Sequence, residues 1–327
     1  MPYDLEFERP LADIDKRIQA LQRRGDRLRP DERTQLDGLR SQLDQRAREI
    51  YRNLTPTQRV QVARHKNRPY TADYINLISE DFFELHGDRR YGDDHAIMGG
   101  LASIDGKTIM LIGNQKGRDT KDRLERNFGM AHAEGYRKAQ RLMRQAEQFH
   151  MPVVTLIDIS GAALDLEAEQ RGIAQAIAES LFVMAALRTP IVSIVIGEGG
   201  SGGALSTSVA DRILMLENTI YTVASPEAAA SILWRDSSHA PKAAAAMKIT
   251  AQELLKLKLI EEIIPEPAGG AHQDYAAAAA SVKSAIIRHI GELEQLPTGQ
   301  LLDQRYQRFR AIGVYKHESV GATSPTT

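Results

Sequence analysis

Seven residues, Gly197-Glu198-Gly199-Gly200-Ser201-Gly202-Gly203, place five glycines and one hydroxyl between an apolar run and a small-residue stretch. The run Pro190-Ile191-Val192-Ser193-Ile194-Val195-Ile196 predicts a strand, and Ala204 to Ala210 can start a helix. A strand, a glycine turn and a helix N-terminus in that order point backbone N–H groups into one small space. Glycine removes the side chains that would block an incoming group. The helix end adds partial positive charge. Such an arrangement suits an anion, or an oxygen about to become one.

Four patterns fit the stretch. An oxyanion hole for a thioester enolate needs only main-chain N–H groups, which accounts for many glycines and few reactive side chains. Close packing of helix on strand also accounts for them, although each glycine costs roughly 0.5–1 kcal/mol against alanine inside an element. Gly199-x-Ser201-x-Gly203 satisfies a nucleophile elbow, with Asp211, Asp236, His239 and His272 downstream as triad partners. Gly197-x-Gly199-x-x-Gly202 satisfies a dinucleotide fingerprint, with Glu217 near the place of a ribose-holding carboxylate. They rank in that order. No Lys-Ser/Thr pair follows the last glycine, so the stretch is not a P-loop.

Two further segments carry candidate chemistry. Gln115-Lys116-Gly117-Arg118-Asp119-Thr120-Lys121 sets two cations around a glycine, which allows close approach to phosphates; a solvated or interfacial charged face is the alternative. Ser160-Gly161-Ala162-Ala163 closes a second strand-to-helix turn, and such turns at carboxyl strand ends are where ligands sit in open α/β sheets. His86 reads as a helix-end residue before Gly87. His132 and His150 have no metal-ligand spacing, and no metal site is expected.

The elements that position these residues follow from periodicity. Leu11, Ile14, Ile18, Leu21 and Leu28, then Leu36, Leu39, Leu43, Ile50 and Leu54, predict a helical hairpin over residues 1–54, broken at Gly25 and Pro30. It packs on its own body or clasps a partner; a narrow apolar stripe suits either. A body over 55–315 and a disordered tail over 316–327 are expected. Thr55-Pro56 opens a helix. Another helix starts at Thr71 and carries Ile75, Ile78, Phe82 and Leu85. Ala96–Ile104 and Thr108–Gly113 predict a hairpin joined by Asp105-Gly106. Then come a helix over 130–149, a strand over 153–159, a helix over 167–187, the strand at 190–196, and strands at 212–216 and 219–223. Ser225-Pro226-Glu227 starts another helix, and Thr250 to Glu253 forms a capping box. A short strand at 259–264 and helices over 273–311, broken near Pro297, complete a layered α/β body.

The chain has 327 residues, 42% hydrophobic, with formal net charge −1, so no overall field favours nucleic acid or an acidic membrane. It has no cysteine, which excludes disulfides and thiolate metal sites. No apolar run approaches the roughly 20 residues of a membrane helix, and MPYDLEFERP lacks an apolar signal core. A cytoplasmic protein is the expectation.

ELHGDR at 84–89, QKGRDTK at 115–121, NFGM at 127–130, GYRKA at 135–139 and GEGGSGGAL at 197–205 occur in this order. SPE at 225–227, SILW at 231–234, IPEP at 264–267, GGAH at 269–272 and RYQRFR at 305–310 follow. Across residues 50 to 312 the chain thereby resembles the α subunits of bacterial and plastid acetyl-CoA carboxylase carboxyltransferases. The resemblance implies a crotonase-like (ClpP/crotonase) α/β fold of repeated ββα units. It implies transfer of carboxylate from carboxybiotin, on a biotin carboxyl carrier protein, to acetyl-CoA, giving malonyl-CoA for fatty-acid biosynthesis. The partners it implies are a zinc-ribbon β subunit in an α2β2 assembly, the carrier protein and biotin carboxylase of an ATP-dependent complex. Two oxygens gain negative charge in that chemistry, the ureido oxygen and the thioester enolate oxygen. By resemblance the Gly161-Ala162 turn faces the biotin oxygen, and main chain around Gly200, Gly202 and Gly203 lies at the same mouth. Lys116, Arg118 and Ser201 are then candidates for holding ligands.

The sequence departs from this family at one turn. Asp-Thr-Pro-Gly-Ala-Tyr-Pro-Gly is usual there, and Asp158-Ile159-Ser160-Gly161-Ala162-Ala163-Leu164-Asp165 stands here. The Gly-Ala pair survives and the stiffening prolines do not, so a looser turn is expected. Ile173 replaces a usual glutamine, and Ser208 and Ala210 replace usual glycines. A divergent paralogue, acting as a scaffold or on another acyl-CoA, is the alternative.

Overall fold

The computed structural model describes residues 3–313. Two strands fix its centre. β4 (Val153–Ile159) and β5 (Ile191–Gly200) are buried along their full length, as continuous apolar runs in a parallel sheet covered on both faces must be. Around them run β1 (Asp81–Glu84), β2 (Ile97–Ile104), β3 (Lys107–Asn114), β6 (Arg212–Leu216), β7 (Ile220–Thr222) and β8 (Glu262–Ile264). The order is β1-β2-β3-β4-β5-β6-β8, with β7 on β5. β1, β2 and β3 pair antiparallel; the remaining pairs are parallel. β5 changes neighbour midway: Val192 to Val195 pair with β6, whereas Glu198 to Gly200 pair with β7.

The helices are α1 (Arg9–Gln22), α2 (Pro30–Arg52), α3 (Pro56–Ala63), α4 (Thr71–Ile78), α5 (Thr120–Glu125), α6 (Ala133–Gln148) and α7 (Leu166–Gln170). Then follow α8 (Ile173–Ala186), α9 (Ser201–Leu205), α10 (Pro226–Trp234), α11 (Ala240–Ala246), α12 (Ala251–Lys256), α13 (Tyr275–Leu293) and α14 (Thr298–Arg310). One sheet face packs on α6, α8 and α9 through Tyr136, Leu142, Met184 and Ala204. The other packs on α4 and α13 through Tyr74, Ile78, Val282 and Ile286. Arg305 locks α14 to this body: its buried guanidinium pairs with Asp211 at 2.8 Å and donates to the carbonyls of Met184, Leu187 and Thr189.

The hairpin forms as its spacing predicts. Ile18, Leu36 and Leu39 meet Ile14, Leu21, Leu28 and Leu43 along the seam. Its base packs on the body where Leu11, Ala47, Tyr51 and Leu54 meet Val62 and Ala268. The Asp105-Gly106 turn takes positive φ at both residues (49° and 72°), as a tight hairpin of this type requires.

Several elements differ from the sequence expectation. The helix at Thr71 stops at Ile78, and Phe82 lies in strand β1, paired with Ala102. Ser79 is already extended; Glu80 N–H donates to the Ser103 carbonyl at 2.9 Å and its carboxylate accepts the Asp105 N–H at 3.0 Å, which ties this segment to the β2–β3 hairpin. His86 therefore follows a strand rather than a helix, and Gly87 (φ 77°) makes a turn there. The helix expected over 167–187 is two, α7 and α8, parted at Gly172 (φ 76°). The strand expected to end at Ile196 runs on to Gly200, so half of the glycine stretch is strand. The last strand shrinks to Glu262–Ile264. The tail expected over 316–327 lies outside the described residues.

Candidate active site

β4 and β5 end side by side, Ile159 opposite Gly199 across a register shift, and each leads into a turn. The two turns touch. A Cβ on Gly200 would lie 2.0 Å from the Ser160 carbonyl oxygen, and one on Gly203 would lie 2.8 Å from the Ala162 nitrogen and 2.9 Å from the Gly161 carbonyl carbon. Neither position accepts a side chain while the turns stay this close. Gly197 and Gly199 have packing duties of their own. Cβ atoms there would meet the Asp158 carboxylate at 2.3 Å and the Tyr221 ring at 2.7 Å. Gly202 alone has room, with Ile177 at 3.6 Å. Close approach, ranked second from the sequence, thus explains four of the five glycines, and it is what sets the Ala162 amide against α9.

The amides of the Gly161 turn divide cleanly. Ala163 N–H donates to the Ala131 carbonyl at 3.0 Å. Among the described residues, the N–H groups of Gly161 and Ala162 have no acceptor. Gly161 borders open space. Nor does any side chain cap the first turn of α9, where Gly200 is the N-cap residue. Adjacent unpaired N–H donors on a partly exposed turn are able to hold an oxygen that gains negative charge.

Loss of the family prolines has not left this turn unsupported. Asp165 Oδ1 caps α7 by accepting from Ala168 N–H at 2.8 Å, and its Oδ2 lies 2.8 Å from His132 Nε2. His132 N–H in turn donates to Asp94 at 2.7 Å, and Asp94, buried, is pushed up from the usual carboxylate range by desolvation. Ile173 is a core residue. Ser208 has a partner as well: its hydroxyl lies 2.7 Å from that of Tyr221.

Ser201 sits where a nucleophile elbow would put it, exposed and at φ 53°. A serine hydrolase needs a base within reach, and the cleft beside it is apolar. That cleft, of about 450 Å³, is lined by Leu205, Tyr221, Val223, Met247, Ile249 and Leu259 as well as Ser201 and Gly202, and it includes no histidine or carboxylate. No hydrogen bond joins Asp211, Asp236, His239 or His272 to Ser201 among the described residues. Asp211 is bonded to Arg305, and His272 stacks on His65 with ring centroids 3.9 Å apart. Glu217, the ribose candidate, accepts from the Glu266 N–H at 3.5 Å.

Lys116 and Arg118 both find partners within the chain. Lys116 Nζ is 2.6 Å from Asp158 Oδ1. The same oxygen accepts the Glu198 N–H at 2.9 Å. Burial alone would lower the Lys116 pKa; Asp158 and Glu198 override it and hold the ammonium above its usual value. Arg118 lies over the Tyr70 ring at 4.0 Å, donates to the carbonyls of Lys66 and Arg68 and pairs with Asp73. Both cations are engaged within the chain, so they position the loops rather than standing free for a phosphate.

Sequence reasoning passed over the carboxylates and arginines beneath the turns. Glu198 pairs with Arg64 at 2.7 Å. Arg68 donates to the Ile196 carbonyl at 2.7 Å and forms a buried pair with Glu266. Their signal was present: Asp158 is the one charge in its strand, and Glu198 the one charge among glycines. Among the described residues no cluster of three or more metal-ligating side chains occurs.

A family description of acetyl co-enzyme A carboxylase carboxyltransferase-like proteins matches residues 4–313. A Geobacter metallireducens protein named acetyl-coenzyme A carboxylase carboxyl transferase subunit alpha is 50% identical over 311 residues, spanning 95% of this chain and 97% of its own. One of the same name from Staphylococcus carnosus is 48% identical over 314 residues, spanning 96% and 100%. Among solved structures, a Pseudomonas malonate decarboxylase hetero-tetramer in complex with coenzyme A aligns with a TM-score of 0.58 at 18% identity, over 73% of this chain and 94% of that one. A single-chain, multi-domain long-chain acyl-CoA carboxylase aligns with a TM-score of 0.54 at 20% identity, over 70% and 22%. At these identities the likeness is one of fold, and that fold is crotonase-like.

Proposed function

The chain belongs to the acetyl co-enzyme A carboxylase carboxyltransferase-like family, and from that premise we propose how its two turns contribute to carboxyl transfer onto acetyl-CoA, the step that gives malonyl-CoA. Carboxybiotin, delivered on a carrier protein, supplies the carboxyl group. The Gly161 and Ala162 N–H groups hold the oxygen that becomes negative on the biotin side; α9, through Gly200, Gly202 and Gly203, shapes the wall facing the acyl group. The carrying observation is the pair of unpaired amides beside a residue with no room for a methyl group. The fit to a ureido oxygen rests on the same pair, since a carbonyl-type oxygen accepts two N–H donors. Ser201 marks the mouth of the apolar cleft and keeps its hydroxyl proton, because no histidine or carboxylate lines that cleft to remove it.

The chain acts with partner subunits. The finer assignment is a homologous β subunit completing the active site in an α2β2 assembly, with biotin carboxylase and the carrier protein beyond it. Large apolar side chains left in solvent beside the turns support such docking: Leu164 is 96% exposed, Leu166 71% and Val223, in the cleft next to Ser201, 79%. No helix among the described residues is long and apolar enough to cross a membrane.

The test is reconstitution. Purified with its β partner, the chain should form malonyl-CoA from carboxybiotin and acetyl-CoA, and by itself it should not. Full activity of the isolated chain would overturn the subunit assignment. Ser201→Ala should leave turnover within a few-fold of wild type; abolition would revive the hydrolase reading.

A further inference from the structure

Away from the two turns, the loop after β1 and the outer face of α6 enclose a second cleft of about 330 Å³. Arg137, Arg141 and Arg144 recur along one face of α6, and Arg89 and Arg90 line the same space from the loop. One carboxylate, Asp88, shares the lining. Its Oδ1 accepts the N–H groups of Arg90, Tyr91 and Gly92 at 2.8 to 3.0 Å, and its Oδ2 is closed off from solvent.

Three arginines largely removed from solvent elsewhere are paired with acids: Arg64 with Glu198, Arg68 with Glu266, Arg305 with Asp211. Among the described residues, none of the five cleft arginines has a carboxylate oxygen within 4.0 Å. Two of them are held in place by neutral carbonyls instead. Arg137 Nη2 donates to the Arg171 carbonyl at 2.7 Å, and Arg141 Nε donates to the Gly87 carbonyl at 2.9 Å. Arg137 Nε is buried and has no acceptor. Burial and the charge of Arg89 hold the Arg141 guanidinium below its usual value, and Asp93 and Asp88 offset only part of that. Five guanidinium groups against one occupied carboxylate form a local positive field in a chain of net charge −1.

We propose that this cleft is a phosphate-binding site, taking the clustered phosphoryl groups of a small molecule. Guanidinium forks match phosphate oxygens two at a time, and five of them exceed what a single carboxylate can occupy. A concave space of this size favours a small anion over a flat macromolecular surface. Free diphosphate compounds carry this chemistry, and so does the nucleotide end of coenzyme A.

The experiment uses the full chain in complex with its β partner, and inorganic diphosphate as the probe in equilibrium dialysis at low and high salt. Wild type should bind saturably, and more weakly as salt rises. Arg89→Gln with Arg144→Gln should weaken binding by about tenfold or more. Neither side chain makes a hydrogen bond or ion pair among the described residues, so the fold should survive; an unchanged melting temperature checks this. Arg40→Gln, on α2, should bind as wild type does. The KM for acetyl-CoA, an arm that rests on the function proposed above, then separates the sources. A raised KM in the double variant assigns the site to coenzyme A, and an unchanged KM assigns it to a separate phosphorylated effector. Absence of saturable diphosphate binding in wild type, or equal binding by the double variant, overturns the proposal.

Discussion

Gly203→Ala is the sharpest perturbation of the site. The added methyl would sit 2.8 Å from the Ala162 nitrogen, 2.9 Å from the Gly161 carbonyl carbon and 3.0 Å from Ile159 Cδ1. Two of these three neighbours are backbone, so a rotamer change cannot relieve the contact. The Gly161-Ala162 turn must move away from α9 by several tenths of an ångström, and the Ala162 N–H is then both misdirected and covered. Loss of one preorganised oxyanion donor costs a factor of roughly 10²–10³ in turnover. Stability should change much less. Overpacking costs about 1–3 kcal/mol, and alanine recovers up to about 1 kcal/mol of helix propensity. The assay is malonyl-CoA formation by the reconstituted complex, with urea unfolding of the isolated chain alongside. Gly202→Ala is the matched control. Its methyl meets only Ile177 at 3.6 Å, an ordinary contact, so turnover should stay within a few-fold. Gly161→Ala adds a methyl to open space and should also be tolerated. Equal turnover for Gly203→Ala and Gly202→Ala would refute the donor role assigned to the turn.

Lys116→Met should destabilise the chain by about 3–5 kcal/mol, because it strands the buried Asp158 carboxylate; adding Asp158→Asn should recover part of the loss in urea unfolding. His272 is held at about 3, well below its ordinary 6.5, by burial and then by the positive neighbours His65 and Arg68. Between those values the unfolded chain binds a proton there that the folded chain does not. Stability should therefore fall as pH drops from 6.5 toward 3, by up to about 1.4 kcal/mol per unit, and His272→Asn should flatten that slope in pH-resolved unfolding. Burial would raise the Glu266 carboxyl, but Arg68 outweighs it and holds the group at about 2 instead of 4.5. Its stabilisation is whole above pH 4.5 and is lost as pH falls toward 2; Glu266→Gln should lower stability at neutral pH and remove this acid-limb loss.

Much of this was legible in the chain. The two central strands announce themselves because strands covered on both faces are mostly apolar, and Asp105-Gly106 fixes its hairpin through backbone sterics alone. The boundaries that escaped reading were set by partners distant in sequence. Phe82 fits a helical stripe from Thr71 equally well, and only the edge of β2 decides that it belongs to a strand. The end of β5 was hidden because glycine weakens strand propensity; pairing with β7 holds Glu198 to Gly200 extended regardless. At the site, the pattern marked the glycines without distinguishing donors from spacers. That distinction depends on the gap between turns separated by about 40 positions in sequence, which no local window contains. Lys116 and Arg118 looked available for the same reason: Asp158, Asp73 and Tyr70 reach them only after folding.

The change of neighbour along β5 has a dynamic consequence. Its first half is paired with β4 on one side and β6 on the other, while Glu198 to Gly200 pair with β7, a strand of three residues, and meet β4 at Gly199 alone. Opening of Ile220–Thr222 would loosen the glycine end on that side, leaving only the Ile159–Gly199 pairing to β4. Amide exchange should accordingly split within this one strand, with slow protection up to Val195 and faster opening beyond it. The lip of the cleft beside Ser201 is thereby the looser part, and the platform beneath it the rigid one.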